Sequence, residues 1–372
     1  MDGFINALDG LPVLGFVFQF IGYVIEQLPS IAPTAIQLAT PIGFAALCGV
    51  MCERSGVVNI GIEGIMLVAA FVGWITGVAV VPVVGIGDPN FIFGLTPALL
   101  IGLLAALLSA VVLSLVHAWL SISVRANQII SGTIVNIAAF GITGYLNTLI
   151  SQSSPEGAGS FAALQICSGD PVAGAPPCVP EAIVNLPVVG WIFGAILNQG
   201  PISISLIVIV VLFQVFLFRS RWGLRTRAVG EHPKAAETVG IDVVRLRYLN
   251  VALGGVLAGL GGAWLSMEVG TSFQAGMTTG RGFIGLAAMI IGRWSPLGAF
   301  GAALLFSSSG AISNSITFSA PTGQLGDLVS AIPPQFYDAL PYLITIIVLT
   351  GFIGRSIPPA ADGVPYEREA AG

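Results

Sequence analysis

Two polar patterns inside apolar sequence mark where this chain could do chemistry. In SGVVNIGIEGIML, Ser55 to Leu67, Asn59 and Glu63 stand four residues apart, a spacing that on a helix puts an amide and a carboxylate on one face. A carboxylate inside an apolar span is expensive, so Glu63 faces either a solute path or a structural donor such as Asn59 or Arg54. The second pattern, Gln128, Gly132, Asn136, Phe140, Thr143 and Asn147, recurs every three or four residues. Amides beside an aromatic ring suit a neutral, hydroxyl-bearing solute, by hydrogen bonding and stacking. Polar residues in membrane helices equally serve as interhelical glue. Phe273 with Gln274, and Asn314 between Ser313 and Ser315, are candidates of the same kind, with packing as the alternative.

Residue supply argues against enzymes. The chain holds two histidines, His117 and His232, neither beside a plausible nucleophile in sequence, and no HExxH or GxSxG. Its single lysine, Lys234, lies between Pro233 and Ala235, so it is no Walker A lysine. The run GGVLAGLGG, Gly254 to Gly262, has no strand before it and reads as small residues that let membrane helices approach. Cys48 and Cys52 sit at helical spacing with no metal pattern, which suits packing. Cys167 and Cys178 flank a predicted external loop, where an oxidising setting permits a disulfide or leaves two free thiols.

These residues need membrane helices to position them. Of 372 residues, 55% are hydrophobic and 8% charged, whereas soluble domains carry about 25% charged residues. With a mean hydropathy of +0.94 the chain is a polytopic all-α membrane protein. The start, MDGFINALDG, lacks the positive region of a signal peptide and is expected to be retained. No basic patch interleaved with aromatics points to nucleic acid.

Apolar segments near the ~20 residues that cross a bilayer follow in order. They are Leu11 to Ile25, Ile31 to Met51, Val57 to Val81, Pro97 to Leu120, Gln128 to Ile150, Pro201 to Phe218, Tyr248 to Met267, Phe283 to Gly292, Pro296 to Ile316 and Leu340 to Ile353. The first, in a segment 1–30, either spans or lies at the interface. The eighth is short enough to be broken or re-entrant. Pro82 to Thr96, Ser151 to Pro187 and Ser319 to Asp338 carry acids without Lys or Arg, which places them outside. The reading is about ten spans with both termini cytoplasmic, and a disordered polar tail over 356–372.

Seven of the thirteen Lys and Arg lie between Arg219 and Arg247, which marks that loop as cytoplasmic. Within it Pro233 suits the first position of a helix, Lys234 to Val239 form about two turns, and Gly240 can close the end in a left-handed conformation. The loop either merely fixes topology or presents that helix to a soluble partner.

Three stretches, SGVVNIGIEGIML, RAVGEHPKAAETVGI and GFIGLAAMIIGRWSPLGAFGAALLF, occur in an order that resembles the inner-membrane permeases of ABC importers for simple sugars, nucleosides and branched-chain amino acids. The resemblance covers about Ile31 to Arg355 and is nearest to the nucleoside and simple-sugar permeases. It implies that Gly230, Glu231, His232, Pro233, Lys234, Ala235, Ala236, Glu237 and Gly240 form the element that docks into a cytoplasmic ATPase. His232 departs from the Asn expected there. It further implies a path between this chain and a second, different permease, an extracytoplasmic substrate-binding protein, lipid around the bundle, and ATP and magnesium bound by the partner ATPase rather than by this chain. The expected home is a bacterial or archaeal cytoplasmic membrane. The expected cargo is a small polar solute, nucleosides first and simple sugars second. A proton-coupled secondary transporter with Glu63 as carrier is the alternative.

Overall fold

The computed structural model describes residues 12–85, 94–151, 194–196, 198–333 and 356–367, the short stretches 159–162, 165–167 and 178–180, and single positions 186, 336, 339, 343 and 346. The chain is helical apart from one small ladder. In order the helices are α1 (Pro12–Glu26), α2 (Leu28–Glu53), α3 (Ile62–Val84), α4 (Pro97–Ala118), α5 (Gln128–Ser151), α6 (Pro201–Arg219), α7 (Arg221–Glu231), α8 (Pro233–Thr238), α9 (Val243–Trp264), α10 (Arg281–Ile291), α11 (Pro296–Phe318) and α12 (Gly323–Ser330). Single π-helical turns extend α4 over Trp119–Ser123 and α9 over Leu265–Val269. Strands β1 (Gln165–Cys167) and β2 (Cys178–Pro180) pair in parallel, Gln165 opposite Cys178. The backbones of Cys167 and Cys178 thus lie on neighbouring strands; their side chains are outside the described residues.

Seven helices among the described residues are long and apolar enough to cross a membrane, where the sequence predicts about ten spans. Two of the other predicted spans are short helices, α1 with 15 residues and α10 with 11. At 1.5 Å per residue these reach about 22 and 16 Å, less than the ~30 Å hydrocarbon core. The predicted span Leu340 to Ile353 falls, apart from Leu343 and Ile346, on residues outside the description. A second correction concerns the segment predicted as one helix from Val57: α3 starts only at Ile62, and 57–59 are non-helical.

Helix α2 is the hub, with 83% of its apolar window buried. It packs on α9, α10 and α11, while α4 packs on α3 and α9. Small residues permit this, because helices in lipid associate by close packing and not by hydrophobic exclusion. Gly254 rests on the sulfurs of Cys48 and Cys52, and an added Cβ at Gly285 would run into Ala45. On the outer surface of α4, Leu100, Leu104, Leu108 and Val112 are exposed at four-residue spacing, the stripe expected of a lipid-facing side.

Candidate functional site

The break between α2 and α3 leaves backbone groups that a membrane cannot satisfy, so side chains must do it. Gln128 Oε1 accepts from Val58 N at 2.7 Å, and a ring nitrogen of His117 lies 3.0 Å from Val58 O. Asn136 bridges the break: its Nδ2 donates to Ile60 O at 3.0 Å and its Oδ1 accepts from Gly64 N at 2.8 Å. Asn59, fully buried, folds back so that its Oδ1 accepts from Gly61 N at 3.1 Å. The lower half of the polar stripe on α5 is therefore turned inward onto this irregular strand of backbone. Because residue 59 lies outside α3, Asn59 and Glu63 do not share a helical face.

Glu63, 1% exposed, holds the second break. Its Oε1 accepts from Gly280 N at 2.7 Å and its Oε2 from Gly282 N at 2.6 Å. Those two N–H groups open α10, so the carboxylate caps the positive end of a half-length helix within the bundle. Gly282 is required for the approach, since a Cβ there would lie 2.7 Å from Glu63 Cα. Neither Asn59 nor Arg54 is the partner.

The other candidates lie elsewhere. Phe140 is exposed on α5 and faces Gly276, whose added Cβ would sit 3.0 Å from the ring. Asn147 is half-buried further along α5. Phe273 is buried edge-on to Phe71, centroids 5.1 Å apart, and stacked on Trp74 at 6.5 Å. Asn314 is exposed on α11, next to Ser315, which hydrogen-bonds Tyr23 of α1 at 2.9 Å. Glu268 was not singled out from sequence. It repeats the role of Glu63 at the other end of the bundle, accepting from Ile202 N at 2.7 Å and from Ser203 N at 3.2 Å at the start of α6. An acid at the end of an apolar run was the available signal.

The loop between α6 and α9 folds into α7 and α8. Ser220 caps α7 through Gly223 N at 3.0 Å, and Asp242 caps α9 through Arg245 N at 3.0 Å. Pro233 opens α8. At its end Gly240, φ +84°, donates to Glu237 O at 2.9 Å and Ile241 N donates to Ala236 O at 3.1 Å, a Schellman closure. Ala236 is buried with Val229, Val243 and Leu246. Glu231, His232, Lys234, Ala235, Thr238 and Val239 are exposed, Val239 at 76%, so α8 offers one small apolar face to the solvent. Gly230 is buried against Arg54 O, where a Cβ would clash.

Residues 356–367 pack against the same loop. Residues 356–367, predicted to be disordered, are packed: Ala361 N donates to Gly230 O at 2.8 Å, Arg247 Nη1 to Val364 O at 3.2 Å, and Tyr366 hydrogen-bonds Glu237. Arg247, 1% exposed, also donates from Nε to Ser55 O at 3.0 Å. Burial raises the Asp362 carboxyl to about 6, against the pull of Glu53 and Arg247. The turn between α10 and α11 joins the same region, because Trp294 Nε1 donates to Glu53 Oε2 at 2.6 Å and Arg54 Nε donates to Trp294 O at 2.8 Å. Parts of all three sequence stretches that carry the family resemblance thus meet around Glu53 to Glu63.

No solved structure matches the chain. Curated relatives span it almost entirely. It is 36% identical over 348 residues to the guanosine ABC transporter permease protein NupQ of Bacillus subtilis, covering 92% of this chain and 98% of that protein. It is 36% identical to the nucleoside ABC transporter permease protein NupC of Lactococcus lactis, over 92% of this chain and 98% of the relative. To the putative glucose ABC transporter permease protein TsgC13 of Haloferax volcanii it is 35% identical, over 90% and 96%. These are transport subunits and not enzymes. Residues 32–349 match the family described as branched-chain amino acid transport system / permease component. With a family match that runs from α2 through α12 and seven helices able to cross a membrane, this chain belongs to that family and is a multi-pass membrane permease subunit of an ABC transporter.

Proposed function

We propose that this chain lines the import path for nucleosides, paired with a second, different permease and driven by a cytoplasmic ATPase that docks on α8. The observation that carries the substrate is the full-length similarity to a guanosine and a nucleoside permease. The second permease is supported by Lactococcus lactis, whose nucleoside permeases NupC and NupB both resemble this chain, NupB over 45% of its length. Both termini lie in the cytoplasm, and an extracytoplasmic binding protein delivers the solute. ATP and magnesium are bound by the ATPase.

The path runs along the exposed part of α5, past Phe140 and Asn147 and the turn that holds Gly276, with Phe273 behind it. Gln128, Asn136, Asn59 and Glu63 hold the backbone beside that path. Asn314 contributes from α11. Closure of the ATPase pair pushes α8, and α7 and α9 carry the push into the bundle. A proton-carrying Glu63 finds no support, since both of its oxygens are held by backbone donors of α10.

The test is uptake of labelled guanosine into vesicles holding this chain, its partner permease, the ATPase and the binding protein. Uptake is expected to require ATP, to survive collapse of the proton gradient, and to be competed by unlabelled nucleosides but not by glucose. Competition by glucose alone moves the reading to simple sugars. Uptake without the ATPase removes it.

A further inference from the structure

The C-terminal segment 359–367 touches every part of this loop region that would have to move with α8. It lies over α7, where Ala361 N donates to Gly230 O at 2.8 Å and Ala360 N donates to Glu231 Oε2 at 3.2 Å. It reaches α8 through Tyr366, whose hydroxyl meets Glu237 and whose ring is buried in the cluster that holds Ala236. It reaches α9 through Arg247, which donates to Val364 O at 3.2 Å and whose guanidinium carbon stands 5.9 Å from the Tyr366 ring centroid. Further on, Glu367 pairs with Arg125 in the α4–α5 turn at 2.9 Å.

Arg247 is the link inward. The same side chain that holds the segment also donates to Ser55 O, at the start of the broken stretch between α2 and α3. That stretch leads directly to Asn59, to the Asn136 bridge and to the Glu63 cap on α10. Apart from this segment, α8 packs on α7 and on the start of α9. With it, α8 is tied through Tyr366 and Val364 to Arg247 in the first turns of α9, and through Arg247 to Ser55, by bonds that do not involve α6.

We propose that residues 359–367 are a positioning strap which transmits displacement of α8 through Tyr366, Val364 and Arg247 to the broken stretch at Ser55, and so sets how much transport each ATP hydrolysed yields. This rests on the proposed docking of the ATPase at α8, yet it is a separate claim: docking needs the exposed face of α8, while the strap lies against its buried face.

The experiment compares the full-length chain with one ending after Pro358, with Tyr366→Ala and with Tyr366→Phe, each in the complete complex in vesicles. Three quantities are read: co-purification of the ATPase, rate of ATP hydrolysis, and solute moved per ATP. The shortened chain and Tyr366→Ala are expected to keep the ATPase and hydrolyse ATP at near the parent rate while moving roughly fivefold less solute per ATP, the size of effect typical for residues that carry coupling without contacting either ligand. Tyr366→Phe, which removes only the hydroxyl, is expected to lose about twofold, and it carries the test if the shortened chain fails to insert. An unchanged ratio of solute to ATP overturns the strap. So does loss of the ATPase from the shortened chain, which would make the segment part of the docking surface. If the full-length chain itself fails to retain the ATPase, the docking reading fails instead.

Discussion

Glu63, 1% exposed, accepts two hydrogen bonds at the start of α10, so its removal leaves two N–H donors without acceptors. Bonds of this type are worth about 1.5–3 kcal/mol each, and orphaned buried donors add to the loss. Glu63→Ala is expected to lower the stability of the detergent-solubilised protein by roughly 3 kcal/mol, and Glu63→Gln by less, since one oxygen remains. The measurement is the thermal midpoint of each variant in the same detergent. An alanine variant as stable as the parent would show that the cap contributes nothing. The sequence said that this carboxylate needs a partner. It could not say which, because Gly280 lies 217 positions away and offers only backbone.

Helix α8 has two kinds of alanine. Ala235 is exposed on the outer face, whereas Ala236 is buried among Val229, Val243, Leu246 and Tyr366. A large residue at 235 meets only the docking partner, while one at 236 must displace its own loop, and overpacking typically costs 1–3 kcal/mol. Ala235→Trp is therefore expected to abolish ATPase co-purification and uptake with no change in the amount inserted. Ala236→Trp is expected to expose the loop to protease first. Equal protease sensitivity of the two variants would contradict this division. The helix itself was legible from Pro233 and Gly240, because φ restriction by proline and left-handed freedom at glycine are local properties. The inward face was not legible, since part of it is supplied by Tyr366, far along the chain.

For the whole molecule the packed segment 356–367 is where pH enters. The Asp362 carboxyl titrates near 6 when docked, against an ordinary value of 3.8, chiefly because burial disfavours its charged form. A raised acid pKa means the docked state binds protons more tightly than the released state. Docking of 356–367 is accordingly weakest above pH 6 and gains as pH falls from 6 toward 4, by of order 3 kcal/mol at most. The groups that act on it are Glu53, Arg247 and the Gly363 N–H. Hydrogen exchange at the amides of 360–366, corrected for the intrinsic rate, is expected to slow relative to pH 7.5 when measured at pH 5. Asp362→Asn is expected to flatten that difference. Faster corrected exchange at pH 5 in the parent would reverse the sign and refute it.

The sequence alone determined the class of this protein, its helical membrane bundle, the presence of a short helix between Pro233 and Gly240 and the family to which it belongs. Each of these follows from composition, from the period of apolar residues, or from the chemistry of neighbours in the chain. Only the tertiary structure decided that α3 begins at Ile62, that α10 stops at half length, that Gln128 and Asn136 serve broken backbone, and that the tail is packed. All four depend on which distant residue supplies a buried hydrogen bond. In a membrane that choice is forced by the lack of water, but the partner's identity is a matter of three-dimensional packing and is not written in local sequence.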